Sequence, residues 1–300
     1  MPTVENADVH PFKSAEARDR YLAFYNEAAE KQWPIESEAR TVTTEDGDTF
    51  MRISGPAEAP PLVLLPGGRT NSLCWAPMIE ALSKDYRTYA VDAIYDDGRS
   101  VNTKPMKTIE DVTGWLDRLF DALELEGVNL MGVSFGAWAS AEYALRRPER
   151  LAKVVWLSPA GTVASISAGF ITFGMLCLIP SERSFGAFTR WIMPYAAKSD
   201  PAFVDEAVKE MVVSEKCFKF RNWPGGPRKL TDEELGSIRV PVLYMVGDHE
   251  RVCPKPLDAV ARVRGVAPQI EIEVFPDAGH DLAWVHTDAI VERTLGFLEA

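Results

Sequence analysis

The sequence predicts an α/β chain: a mostly parallel sheet of eight strands flanked by helices and interrupted once by a helical insertion. Three observations carry this. From residue 61 to 159, short and wholly apolar runs alternate with amphipathic stretches, as strands buried on both faces alternate with the helices that cover them. That rhythm stops over 160–235 and resumes from 240 to the end. Ahead of it, two short runs flank the turn Asp46-Gly47 and read as a β-hairpin.

The elements follow in order. Over 14–32, Tyr21, Leu22, Tyr25, Ala28 and Ala29 share one helical face, with Ser14 as N-cap and Trp33-Pro34 as the stop. The hairpin pairs 40–42 with 49–53. Strands at 62–65, 86–91, 129–133 and 151–157 alternate with helices at 72–83, 108–125 and 134–146. Residues 160–235 are helical and irregular, rich in Phe, Met and Trp, and carry the turn-forming run from Trp223 to Pro227. A strand at 240–246, a helix at 255–264, a strand at 270–275 and a helix at 284–298 complete the chain. An insertion between two parts of one sheet is a lid, since segments beyond strand ends carry function. The expected organisation is therefore a core of 1–159 and 236–300 with a lid of 160–235.

Bulk properties narrow the function. With 300 residues and 46% of them hydrophobic, the chain can bury a core without disulfides or metals. A net charge of −12 excludes the clustered basic surface that nucleic acid requires. Cys74, Cys177, Cys217 and Cys253 are far apart and form no metal-ligand spacing, so no metal or cofactor is expected and reduced thiols fit a cytoplasmic protein. No charged residue occurs over 154–181, but glycines, serines and threonines interrupt that run, so it reads as a buried or cleft-lining cap and not as a membrane span. The N-terminus lacks the basic start and apolar run of a secretory signal.

The sharpest chemical signal is Gly132-Val133-Ser134-Phe135-Gly136, at the end of an apolar strand and the start of a helix. Such a turn strains the serine backbone and lifts its Oγ above the sheet, and side chains two residues to either side would collide. Helix-start N–H groups then favour an oxyanion nearby. The second signal is Pro66-Gly67-Gly68-Arg69 after the first parallel strand: acyl transfer needs two N–H donors, and Phe135 and Gly68 are the candidates. Arg69 could bind an anionic substrate group if it faces the cleft.

A serine needs a base. Of the four histidines, His10 lies in the N-terminal arm, while His249 and His286 read as surface or packing residues. His280, between the last strand and last helix, suits the order serine, acid, histidine. The orienting carboxylate is Glu250 or, as the alternative, Asp248, both in the loop after strand 240–246. Asp277 and Asp281 flank the base too closely to orient it. Phe170, Phe173 and Trp191, with Met175, Leu176, Phe185, Phe188, Met193 and Phe220, would supply an apolar pocket for a hydrophobic acyl or alcohol group.

Together, the segments 132–136, 66–68, 92–100, 247–250 and 277–280 resemble the α/β-hydrolase superfamily over about residues 60–300, and the first helix and hairpin resemble its bacterial carboxylesterase-like members. The resemblance implies an eight-stranded sheet with a helical lid after the sixth strand, an entrance shaped by 92–100, and a triad acid where Glu250 stands, more often Asp. Two departures stand out: Pro66 replaces the usual His of the oxyanion loop, and Arg69 replaces an apolar residue. Haloalkane dehalogenases and epoxide hydrolases of this fold use Asp where Ser134 stands, which argues against both. The implied activity is a serine hydrolase cleaving a small carboxylic ester. A lactonase, amidase, carbon–carbon hydrolase or acyltransferase would use the same triad, and a ligand-binding protein could keep only the pocket.

Overall fold

The computed structural model describes residues 11–219 and 224–300, so His10, Phe220 and Trp223 lie outside the described residues. Contacts gather the chain into two units: one runs to Val128 and takes in Val213–Gly226, and the other joins Asn129–Val212 to Pro227–Ala300.

In the first unit, α1 (Ala15–Gln32) starts at Ser14, whose side chain accepts the Ala17 N–H, and ends at Trp33. Its buried face of Tyr21, Tyr25 and Ala29 packs with Phe12, Phe50, Leu73, Cys217 and Phe218. Strands β1 (Glu38–Thr44) and β2 (Gly47–Ser54) form the expected hairpin, closed by the pair Thr44↔Gly47. Then come β3 (Pro61–Leu65), α2 (Ala76–Leu82), β4 (Arg87–Val91), β5 (Val101–Asn102) and α3 (Ile109–Ala122). The strand order is β1-β2-β4-β3, with β3 and β4 parallel and β2 antiparallel to its neighbours. One strand departs from the sequence reading: β5 makes nine strands among the described residues, where eight are predicted. It is two residues long and pairs with Gly47 and Asp48. At that length it has no periodicity to detect; it is set by Gly47, where a Cβ would lie 2.1 Å from the Val101 carbonyl oxygen.

The second unit holds β6 (Val128–Val133) after its first residue, α4 (Phe135–Arg146) and β7 (Leu151–Leu157). The inserted helices follow: α5 (Ala168–Leu176), α6 (Glu182–Ile192), α7 (Ala196–Ser199) and α8 (Pro201–Cys217), whose last turn belongs to the first unit. After α9 (Asp232–Ser237) come β8 (Val242–Gly247), α10 (Pro256–Val266), β9 (Ile270–Phe275), α11 (Leu282–Val285) and α12 (Thr287–Glu299). The order is β6-β7-β8-β9, and β7, β8 and β9 are parallel. Strands β6 and β8 are buried at every position, and their sequences VNLMGV and VLYMVG are correspondingly almost unbroken apolar runs. Strand β9, at the end of the order, alternates apolar and acidic residues, IEIEVF, as one half-covered face requires.

The insertion is tied at its stem. Thr162 pairs with the chain on either side of Lys229: its N–H donates to the Arg228 carbonyl at 2.7 Å, and its carbonyl accepts the Leu230 N–H at 2.8 Å. Helix α5 is anchored at its start, where Ser167 donates through Oγ to the Arg251 carbonyl at 2.6 Å and through N–H to the Val252 carbonyl at 2.8 Å. Among the described residues, no helix is long and apolar enough to cross a membrane.

Candidate active site

Ser134 is not the first residue of a helix, as 134–146 would have it, but the bend before one: φ 53° and ψ −111° place it where non-glycine residues are strained. The strain is held by the backbone. Its N–H donates to the Leu157 carbonyl at 2.9 Å, and its own carbonyl accepts from Trp138 and Ala160, each at 3.1 Å. The bend is possible because Gly132 has no side chain; a Cβ there would sit 2.3 Å from the carbonyl carbon and oxygen of Gly136.

His280 comes from the loop between β9 and α11, with Nε2 at 2.9 Å from Ser134 Oγ. Its Nδ1 lies 2.9 and 3.0 Å from the two carboxylate oxygens of Glu250, in the loop after β8. The two loops meet because Gly247 ends β8: a Cβ there would stand 2.1 Å from the Ala278 carbonyl oxygen. All three side chains are largely buried, and Glu250 most of all. Burial pushes its carboxyl up, but the charge and hydrogen bond of His280 and the N–H of Val252, which donates at 2.7 Å, outweigh this and hold it below the ordinary carboxylate range. An ionised carboxylate only accepts hydrogen bonds, so His280 donates through Nδ1, and in the neutral imidazole Nε2 is left to accept from the Ser134 hydroxyl. Cys253, close by, is pushed up to about 12 by burial and by Glu250, so the one thiol in this loop stays protonated.

The alternative acid, Asp248, is not at the imidazole of His280. It contacts His249 Nδ1 at 2.7 Å and accepts the Ala278 N–H at 3.3 Å. His249 is exposed, and His286 stands between α11 and α12, two helices where one is predicted, with Nε2 at 3.1 Å from the Pro276 carbonyl oxygen. Sequence reasoning missed the role of Asp281. Fully buried, it accepts the N–H groups of Tyr195 at 2.8 Å, Ala196 at 2.7 Å and Gly279 at 3.2 Å, joining α7 to the loop that carries His280. Nothing in the sequence marks it, because its partners are backbone groups, two of them 85 and 86 positions away.

Phe135 opens α4 directly after Ser134. Gly68 is half-buried in the loop after β3, which is pinned on both sides: Thr70 Oγ1 donates to the Gly67 carbonyl at 2.8 Å, and Asp96 accepts the Arg69 N–H at 2.9 Å. The guanidinium of Arg69 donates to Glu215 at 2.9 Å and lies 3.9 Å from Asp97. Burial lowers its basicity, but Asp97, Asp96 and Glu215 raise it further, so this charge is matched by the protein's own carboxylates. Of the three aromatic candidates, Phe170 has its ring 6.5 Å from that of Phe135. Phe173 and Trp191 stack on each other at 4.9 Å, which makes them chiefly packing between α5 and α6.

The sequence profile described as the alpha/beta hydrolase family matches residues 62–293. The chain belongs to that family. Within it, the carboxylesterase YbfK of Bacillus subtilis (strain 168) is 34% identical over 292 residues, 97% of each chain. The uncharacterized carboxylesterase nap of the same organism is 34% identical over 94% of this chain and 93% of its own. The crystal structure of naproxen esterase (carboxylesterase NP) from Bacillus subtilis superposes with a TM-score of 0.85 at 33% identity, covering 95% of this chain and 99% of that one. This α/β hydrolase is thus similar along nearly its whole length to bacterial carboxylesterases, as the resemblance in its motifs implies.

Proposed function

We propose that the chain is a serine carboxylesterase acting on a small ester with a hydrophobic group, with Ser134 as nucleophile, His280 as general base and acid, and Glu250 as the orienting acid. The observation that carries this is the unbroken line of hydrogen bonds from Ser134 Oγ through His280 to Glu250. As Oγ attacks the ester carbonyl carbon, its proton passes to Nε2, and the carbonyl oxygen takes the negative charge against the N–H groups of Phe135 and Gly68. The intermediate collapses, the alcohol leaves with the proton from Nε2, and an acyl group remains on Ser134. Water then attacks the acyl carbon, giving its proton to Nε2. A second collapse releases the acid and returns the proton to Ser134. Glu250 stays ionised throughout and stabilises the imidazolium, and neither metal nor cofactor takes part. The inserted helices act as the lid in this reading, with Phe170 against Phe135 as the contact through which an apolar acyl or alcohol group is selected. Free thiols at all four cysteines fit the reducing cytoplasm.

The test is Ser134→Ala against a p-nitrophenyl ester, where kcat/KM should fall by about 10⁴-fold or more with the fold intact. Hydrolysis near the wild-type rate by purified variant would end the proposal.

A further inference from the structure

Helix α5, sequence AGFITFGML, is apolar on every side and has no residue fully buried. Its inner side is accounted for: Phe170 meets the rings of Phe135 and Phe188, and Phe173 stacks on Trp191. Its outer side is bare. Ile171 is 54% exposed, Met175 63% and Leu176 49%, and the stripe continues past the helix through Leu178 at 66% and Ile179 at 77%. Only Leu257 joins these five as an exposed large apolar residue among the described residues, so the exposure is gathered in one nine-residue stretch. A helix apolar all round needs cover on both sides, and a contiguous bare patch of this kind marks an interaction surface.

We propose that this face is a homodimer interface, in which α5 and residues 177–179 of one copy lie against the same segment of a second copy about a two-fold axis. Charge selects the occupant. The chain carries a net charge of −12, yet no charged residue occurs from 154 through 181. Two like molecules therefore approach there without opposing or desolvating carboxylates, as they would elsewhere on so acidic a chain. A bilayer fits less well. Interfacial helices carry Lys and Arg beside their apolar face, whereas α5 has neither, and the first charge beyond the stripe is Glu182. Area sets the strength: five side chains each about half exposed or more present on the order of 500 Å² per copy, which places the pair near the roughly 1,000 Å² lower bound for specific interfaces. The dimer is accordingly one that dissociates on dilution.

Sedimentation velocity over a dilution series tests this. Wild-type protein should move from dimer toward monomer as it is diluted from tens of micromolar. The double variant Ile171→Glu/Ile179→Glu, which sets carboxylates against carboxylates across the axis, should weaken association by about 100-fold or more. Far-UV dichroism reads its folding, and Met175→Glu repeats the test should the double variant fail to fold. Wild-type protein that stays monomeric at the highest concentration overturns the proposal. So does a dimer that the folded variants leave intact, or a monomer that pellets with phosphatidylcholine vesicles, which would make lipid the occupant.

Discussion

The turns that carry Ser134, Glu250 and His280 and the helices inserted between β7 and β8 are built on opposite terms. The turns are short, buried and fixed by close approaches of backbone: Gly132 to Gly136, Gly247 to Ala278, and the Ser134 amide to Leu157. They leave no room for another atom. The insertion is tied at discrete points that include the stem around Thr162 and Arg228, the Ser167 anchor and the Asp281 clamp, and its helix α5 has no residue fully buried. The Ser134, Glu250 and His280 geometry thus rests on close backbone contacts, whereas α5 rests on a part of the chain where side chains can vary without moving Ser134. Such a division lets the pocket change at little cost to the triad.

The largest break in this contrast should come from Gly132→Ala. With a methyl 2.3 Å from the Gly136 backbone, β6 and α4 must separate, because backbone atoms cannot turn aside as a flexible side chain can. Stability should fall by about 3 kcal/mol. The Ser134 bend should open, and kcat/KM should drop by at least about 1,000-fold, more than the lost stability alone accounts for at temperatures where the variant is folded. Denaturant melts and ester assays on one preparation check both. Near-normal activity would mean the turn is looser than its contacts.

Asp281→Ala comes next, since it cuts a clamp between the two regions. Removing an acceptor from three N–H groups should cost about 2 kcal/mol, and kcat should fall about tenfold as the Gly279 amide, next to His280, loses its partner. Asp281→Asn keeps one acceptor oxygen and should recover most of the stability. If the alanine variant melts early with kcat unmoved, the clamp holds α7 but does not position the base.

How much of this was legible in the sequence follows the same division. Gly132, Ser134 and Gly136 stand within five positions, and strand–turn–helix context is local, so the nucleophile could be read directly. His280 and Glu250 could be read from chain order and from their places beyond strand ends; Glu250, the preferred acid, contacts His280, whereas Asp248 contacts His249. The side chain of Arg69 could not be placed, because Glu215 is 146 positions away. Asp281 was passed over because its effect runs through backbone N–H groups that have no sequence signature. The inserted segment was legible as helical and aromatic, yet which aromatics face the nucleophile depends on packing: Phe170 reaches Phe135 while Phe173 turns to Trp191.

A smaller effect is expected at the stem of the insertion. Arg228 donates to both carboxylate oxygens of Glu234, at 2.7 and 2.8 Å, and also contacts Glu142 at 2.9 Å. These bonds, with the Thr231 amide, hold the Glu234 carboxyl down at about 2, against an ordinary value of 4.5. A depressed carboxyl contributes its full stability above the unfolded value and loses it as pH falls from 4.5 through about 2. Because the pair is partly open to solvent, the contribution is screened to about 1 kcal/mol. Glu234→Gln should therefore lower stability by about that much at neutral pH and converge on the wild type in acid. A difference that persists unchanged at low pH would assign the loss to the α9 cap and not to the ion pair.

The smallest expected effect has the opposite sign. Gly174 lies inside α5, and a Cβ added there meets nothing within 4 Å. Gly174→Ala should then show only the propensity gain, about 0.8–1.0 kcal/mol within the helix. Since α5 has no residue fully buried, it can open without the rest of the chain, so the gain belongs to local opening and should leave the global melting point nearly still. Hydrogen exchange at the α5 amides, measured at protein dilutions low enough to keep association out of the readout, should slow by about fivefold. Turnover decides what the looseness of this helix is for. If kcat/KM stays at the wild-type value, α5 needs only to be present above the site. If stiffening it slows ester hydrolysis, opening of α5 is itself a step in turnover, and the contrast between a fixed triad and a loosely held insertion becomes part of the mechanism.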